Sequence, residues 1–353
     1  MERMNKSTLI RPGTIPSPSR SSKLHLVLAV CVTLETLVCL AAYGGTATQR
    51  YTYKTIGERK LIVEINYPEN WTPGKGFPAM VMFHGNAFNP KNKAGEFYPM
   101  ADERERKGMP VPQNTLGNAF LAQAEYFARR GMVTIRAEYR RRSTDGVMPD
   151  KPIEDALSAM RWVRKNAHML GIDPNRIVSM GGSGGGCTAA SVACIDTFQA
   201  PEDDRSISPR PNAMLLYYPL LDWLAGASKS DDFLEAVGGD REYATRISPA
   251  RHWNKDMPPT LILIGTKDPM FKSLQKFVAQ WKERGAPIDI YIGQKAGHGF
   301  ATVSPWLEKT TLRADEFLRS LGYLEDQPRV DLPSREKKSR KAGTKAKVEE
   351  EKS

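Results

Sequence analysis

The chain has 353 residues and 40 % hydrophobic content, enough for a sizeable packed core in one large or two small domains. Its formal charge of +11 is concentrated at the ends: residues 1 to 23 and 327 to 353 carry +4 each, leaving +3 for everything between. That middle has no zinc-finger spacing, phosphate-binding loop or aromatic-basic RNA signature, so nothing in it points to nucleic acid.

Basic residues up to Lys23 precede the apolar run Leu24 to Ala42, LHLVLAVCVTLETLVCLAA, and small residues follow it. This is the layout of an export leader. Nineteen residues is also long enough for a membrane anchor, although Glu35 inside the run makes a lipid-buried span costly. Residues 1 to 44 are therefore expected to be a signal peptide or an outward-facing membrane anchor, with cleavage near Ala42 to Gly44. Neither Cys31 nor Cys39 follows a small residue, which disfavours lipidation. Cys187 and Cys194 fall on one predicted helix, where seven residues separate them by roughly 10 Å, beyond disulfide reach. Both read as small buried hydrophobes.

From Arg50 to Tyr67 two β-rich segments, YTYKT and KLIVEINY, flank the turn-like IGER and predict a hairpin. Pro78 to His84 reads as a buried strand. Helix and strand then alternate: helix Leu116 to Arg130, strand Met132 to Glu138, helix Ile153 to Leu170, strand Arg176 to Met180 and helix Gly185 to Ile195. Strands Ala213 to Tyr218 and Thr260 to Gly265, helix Phe271 to Gly285, strand Ile288 to Ile292 and helix Pro305 to Leu321 complete the pattern. Such alternation predicts one doubly wound α/β domain over residues 45 to 326, mostly parallel, with an antiparallel hairpin at its N-terminal end. Asn89 to Thr115, Asp196 to Pro211 and Leu224 to Pro259 stand outside the alternation and are candidate pocket walls. Residues 327 to 353 are polar and charged without aromatics, the composition of a disordered tail.

The chemistry centres on Ile177 to Cys187, IVSMGGSGGGC, where an apolar strand runs through Gly181-Gly182-Ser183-Gly184-Gly185 into a helix of small residues. A nucleophile on a sharp strand-to-helix turn needs neighbours without side chains, and the helix N-terminus behind it directs N–H groups at a developing oxyanion. A dinucleotide-binding loop is the rival reading, but that motif belongs in a first βαβ unit rather than in mid-chain. His84-Gly85-Asn86-Ala87-Phe88 follows the third strand, where backbone N–H groups of Asn86 and Ala87 would join that of Gly184 in an oxyanion hole. His84 itself reads as structural. Asp268 in GTKDPM and His298 in AGHGF come after late strands, so the order is Ser183, Asp268, His298, with Asp222 in YPLLDW as the second candidate acid. Glu138 and Asp155 read as buried hydrogen-bonding groups, and Arg140 to Arg142 as a solvated turn. The five histidines have no ligand-spaced partners, so neither metal nor cofactor is implied.

RGMVTIRAEYR, EDALSAMRWVRKNA, LGIDPNRI, GGSGGG, GTKDPM and AGHGF occur in that order between Tyr67 and Leu321. In them the chain resembles the α/β-hydrolase fold carboxylesterases of the acetylxylan and feruloyl esterase type, related to the hormone-sensitive lipase group. The resemblance implies a serine hydrolase acting through an acyl-enzyme on small esters or acylated carbohydrate. Two departures stand out: HGNAF replaces the family's His-Gly-Gly-Gly, which would narrow the acyl pocket, and the Asn89 to Thr115 insert is long. A small-amide hydrolase and a non-catalytic binding protein on the same fold are the competing readings.

Overall fold

The structure, a computed structural model, describes residues 48–85, 118–141, 145, 147–225, 234, 237–325 and 331. The leader, the Asn89 to Thr115 stretch and the tail apart from Asp331 lie outside the described residues, as do Asn86 and Ala87.

Strand β1 (Thr48–Ile56) turns through Gly57, at φ 58°, into β2 (Arg59–Asn66), the antiparallel hairpin that IGER predicts. The left-handed φ explains the glycine, since a Cβ is disfavoured there. The remaining strands are β3 (Phe77–Phe83), β4 (Val133–Ala137), β5 (Ile172–Gly182), β6 (Ala213–Tyr217), β7 (Thr260–Gly265) and β8 (Ile288–Gly293). They assemble in the order β1-β2-β4-β3-β5-β6-β7-β8. β2 pairs antiparallel with β4, and every later pairing is parallel. β4, β6 and β7 are buried at every position; β6 and β7 read as nearly continuous apolar runs, whereas β4 (VTIRA) also buries Thr134 and Arg136, the latter paired with Glu64 at 2.7 Å.

The helices are α1 (Asn118–Arg129), α2 (Asp150–Lys165), α3 (Gly184–Cys194), α4 (Arg241–Arg246), α5 (Pro249–His252), α6 (Phe271–Glu283) and α7 (Trp306–Ser320). α2 buries Ile153, Ala156, Leu157, Met160 and Val163, one face at helical spacing. It ends at Lys165, five residues before the predicted limit, and β5 begins at Ile172, four residues before its own. Gly171 lies between them at φ 65°, packed so closely on Trp71 and Thr72 that a Cβ would come within 2.5 Å of both. A tertiary contact, which local propensity does not encode, sets that boundary.

α1 and α7 are joined by Asp315, whose fully buried carboxylate accepts from Tyr126 Oη at 2.9 Å, Arg130 Nε at 2.6 Å and Arg319 Nε at 3.1 Å. A buried charge persists only when it is paired and hydrogen-bonded in this way.

Two expectations are corrected. Asp196 to Pro211 is no pocket wall: it leads from the end of α3 back to the start of β6. Arg161 donates to the Ile207 carbonyl, and Arg164 to those of Pro174, Ser208 and Arg210, which places the segment beside the amino end of β5. A helix-to-strand connection in a parallel sheet must return to that edge. Of Leu224 to Pro259, the described part around α5 lies at the carboxyl edge, where Ala250 N–H donates to Leu221 O at 2.9 Å, but α4 and α5 occupy part of it and Pro259 is back at the amino edge, its carbonyl accepting from Met214 N–H at 2.8 Å.

Candidate active site

Because β3 and β5 to β8 are parallel, the residues that follow them emerge at one edge of the sheet, where open α/β folds bind ligands. His84 follows β3, Ser183 follows β5, Tyr218 follows β6, Asp268 lies three residues beyond β7 and His298 five beyond β8.

Ser183 has φ 56° and ψ −122°, a conformation that L-residues rarely adopt, held by its N–H donating to Tyr217 O at 3.0 Å and its carbonyl accepting from Leu220 N at 3.2 Å. The glycines around it are required by packing. A Cβ on Gly181 would sit 2.1 Å from Gly185 O, one on Gly185 2.1 Å from His84 O, and one on Gly186 2.7 Å from Pro219 Cβ. α3 thus presses its first turn against the ends of β3 and β5, and Ser183 projects from the turn between them.

The structure brings Ser183, His298 and Asp268 into one hydrogen-bonded chain. His298 Nδ1 donates to Asp268 Oδ2 at 2.8 Å, leaving Nε2 to accept from Ser183 Oγ at 2.9 Å. The Asp268 side chain is fully buried, and its other oxygen accepts from Met270 N–H at 2.9 Å. This places the acid where it fixes the imidazole tautomer and can stabilise an imidazolium. Asp222 is not part of the chain: it pairs with Arg251 at 2.8 Å and accepts from Leu224 N–H at 2.9 Å.

Gly184, with its N–H at the first turn of α3, is buried behind the nucleophile. Gly85 reaches the same place from β3: a Cβ there would lie 3.8 Å from Ser183 Cβ. His84 stacks on Tyr139 at 4.5 Å, and the Tyr139 hydroxyl donates to the His84 carbonyl. Burial lowers the His84 pKa to about 3, assisted by the charge of Arg141, so its ring is neutral and a poor base. The Cys187 thiol is pushed up to about 12 by burial, which keeps it protonated. Among the described residues no group of three His, Cys, Asp or Glu is placed to hold a metal ion.

Arg140 is not the solvated turn that its sequence suggests. Its backbone N–H and guanidinium both bind the buried Asp155, at 3.0, 2.8 and 2.8 Å, and Lys54 joins the same carboxylate at 3.0 Å. Glu138 accepts from Arg59 at 2.6 Å. These pairs hold the stretch that carries Tyr139 beneath His84.

Sequence reasoning missed Tyr218. Its ring meets His298 edge-on at 4.9 Å, and its φ of 38° is unusual for a side-chain-bearing residue. In YYPLLD it looks like any strand-end aromatic, and only its position at a strand's carboxyl end could have flagged it.

A family model described as BD-FAE matches residues 113–278. Lipase 2 of Moraxella sp. (strain TA144) is 25 % identical over 214 residues, 49 % of this chain and 48 % of the lipase, so the chain spans about half the length of that relative. Two solved forms of Thermogutta terrifontis esterase 2 match more fully. The form phosphoramylated by tabun is 31 % identical, covering 79 % of this chain and 97 % of the esterase at a TM-score of 0.66. The propionate-bound form is 31 % identical, covering 80 % and 97 % at a TM-score of 0.65. With that identity across nearly the whole of a solved esterase, on a shared sheet with helices on its faces, the chain belongs to the α/β-hydrolase fold carboxylesterases.

Proposed function

We propose that this protein hydrolyses carboxylic esters of short acyl chain through an acyl-enzyme on Ser183. The observation that carries the reading is the unbroken chain from Ser183 Oγ through His298 to Asp268, at 2.9 and 2.8 Å. Ser183 Oγ attacks the ester carbonyl carbon while its proton passes to His298 Nε2, and the carbonyl π electrons move onto the oxygen. The N–H of Gly184, with those of Asn86 and Ala87, is assigned to that oxyanion. Collapse breaks the bond to the alkoxide, which leaves with the Nε2 proton. Water then repeats the sequence on the acyl-enzyme, releasing the acid and free Ser183. The side chains of Asn86 and Ala87, where the family carries glycines, support a narrow acyl pocket and acetyl or similar groups.

Acylated carbohydrate and small esters are the proposed substrate class, on the motifs that resemble those of acetylxylan and feruloyl esterases. Export, through residues 1 to 44 acting as a signal peptide or anchor, is proposed on the basic-then-apolar pattern of that segment.

The test is hydrolysis of a chromogenic acyl series from acetyl to long chain by the full chain and by Ser183→Ala. Short esters are expected to be cleaved, with a loss of roughly a millionfold in the variant. Equal rates with and without Ser183, or no cleavage at any acyl length, would sink the esterase reading and favour paired amide assays next.

A further inference from the structure

The Tyr218 hydroxyl is a polar group at the reacting centre that the steps above leave unused. Tyr218 is only 6 % exposed, yet its hydroxyl makes no hydrogen bond among the described residues. Several other tyrosines are paired: Tyr53 donates to Glu138 O, Tyr126 to Asp315, Tyr139 to His84 O and Tyr243 to Asp150. The buried hydroxyls of Tyr67 and Tyr217 are also unpaired among the described residues, but both are enclosed in the core. Tyr218 is instead aimed at the nucleophile turn, its Oη and Cε2 lying 3.1 and 3.2 Å from where a Cβ on Gly182 would be. The absent side chain at Gly182, the residue before the nucleophile, is what makes room for it.

Its placement is enforced from both sides. Tyr218 N–H donates to Leu263 O at 2.7 Å, and two residues later Leu220 N–H donates to Ser183 O at 3.2 Å. Its ring also meets two rings of the loop after β8 edge-on, His298 at 4.9 Å and Phe300 at 6.2 Å. Burial and the nearby Asp268 raise the phenol pKa well above its ordinary value, so the hydroxyl keeps its proton and remains a donor.

The side of the substrate that it meets follows from the proton's path. His298 must pass its proton to the leaving oxygen, so the alcohol portion lies against the imidazole, and Tyr218 is a ring that lines that imidazole. We propose that the Tyr218 hydroxyl donates a hydrogen bond to a further oxygen on the alcohol portion of the ester, so that the site selects esters of polyols and sugars over those of simple alkyl alcohols. An alkyl alcohol would cover the hydroxyl without pairing it, and an unpaired buried donor disfavours that complex. The inference rests on Ser183 being the nucleophile and goes further by naming the alcohol and the residue that reads it.

The experiment compares the full chain with Tyr218→Phe, which keeps the ring against His298, on two acetate esters: a monoacetylated methyl xyloside and ethyl acetate. For the unchanged protein, kcat/KM is expected to favour the xyloside acetate by about tenfold, the discrimination typical of one neutral hydrogen bond. Tyr218→Phe is expected to lose about that factor on the xyloside acetate while staying within about twofold on ethyl acetate. Equal losses on both esters would assign Tyr218 to holding His298 and overturn the proposal, as would an unchanged ratio. If Tyr218→Phe does not fold, the unchanged protein still decides, because no preference for the xyloside acetate overturns the proposal by itself. Hydrolysis of neither ester would bring down the nucleophile reading and this inference together, whereas hydrolysis without selectivity removes the inference alone.

Discussion

Glycine at 185 is fixed by backbone atoms of another strand rather than by its own conformation. A methyl group there would meet His84 O at 2.1 Å and Phe83 O at 2.2 Å, and neither carbonyl can move without shifting the end of β3. Gly185→Ala is therefore expected to cost about 2–3 kcal/mol by overpacking. Gly297→Ala, with no atom within 4 Å of the new Cβ, should stay within about 0.5 kcal/mol. Urea denaturation of both variants checks the contrast. His84 supplies a pH dependence with a definite sign. Its folded pKa, about 3, is below the ordinary 6.5, so between these values the unfolded chain binds a proton that the folded one refuses. The stability contributed by the neutral ring is full above pH 6.5 and is lost as pH falls toward 3. The urea midpoint should thus drop more between pH 7 and pH 5 in the unchanged protein than in His84→Gln, and identical drops would show that His84 is not the titrating group. Ser183 could be read from its local sequence because a nucleophile turn demands small neighbours. Tyr218 could not, because its φ of 38° and its contact with His298 depend on β7 and on the loop after β8.

Elements are locked to one another by buried charges as well as by apolar faces. Asp315 on α7 receives Tyr126 from α1 and Arg130 from the turn just after it, and both helices pack on the same sheet. Asp315→Ala would leave Arg130 and Tyr126 without their carboxylate, at an expected cost of about 3–5 kcal/mol, since breaking one side of a buried pair is worse than never having it. A fall in denaturation midpoint checks this, and a change below about 1 kcal/mol would mean that Arg130 finds water instead. The helices and strands themselves were legible because periodicity is local: α6 and β7 begin where the pattern places them. Boundaries slipped where tertiary contacts intervene, as at Gly171 under Trp71, and the role of Arg140 was hidden because its partner Asp155 lies on a separate element.

At the scale of the whole molecule, the described residues from Thr48 onward hold the sheet and all three residues of the hydrogen-bonded chain, while the charge sits at the two ends of the sequence. The export proposal belongs to this scale. Produced in an exporting host, the chain is expected outside the cytoplasm with a new N-terminus near residues 42 to 44, or in the membrane fraction with its leader intact. Mass measurement of the N-terminal peptide separates these, and recovery only in the cytoplasm would refute both. The sequence by itself determined the order of strands and helices, the glycine-flanked serine, and the succession of serine, acid and histidine behind late strands, because these follow from side-chain period, backbone freedom and position along the chain. Tertiary structure alone decided that Asp268 rather than Asp222 meets His298, that Asp196 to Pro211 lies at the amino edge, and that Tyr218 stands beside the nucleophile turn with its hydroxyl unpaired among the described residues. Those outcomes depend on which strand ends lie side by side. Placing β3 between β4 and β5, with β6 and β7 beyond, is settled by burying many apolar faces at once, so no local stretch of sequence encodes it.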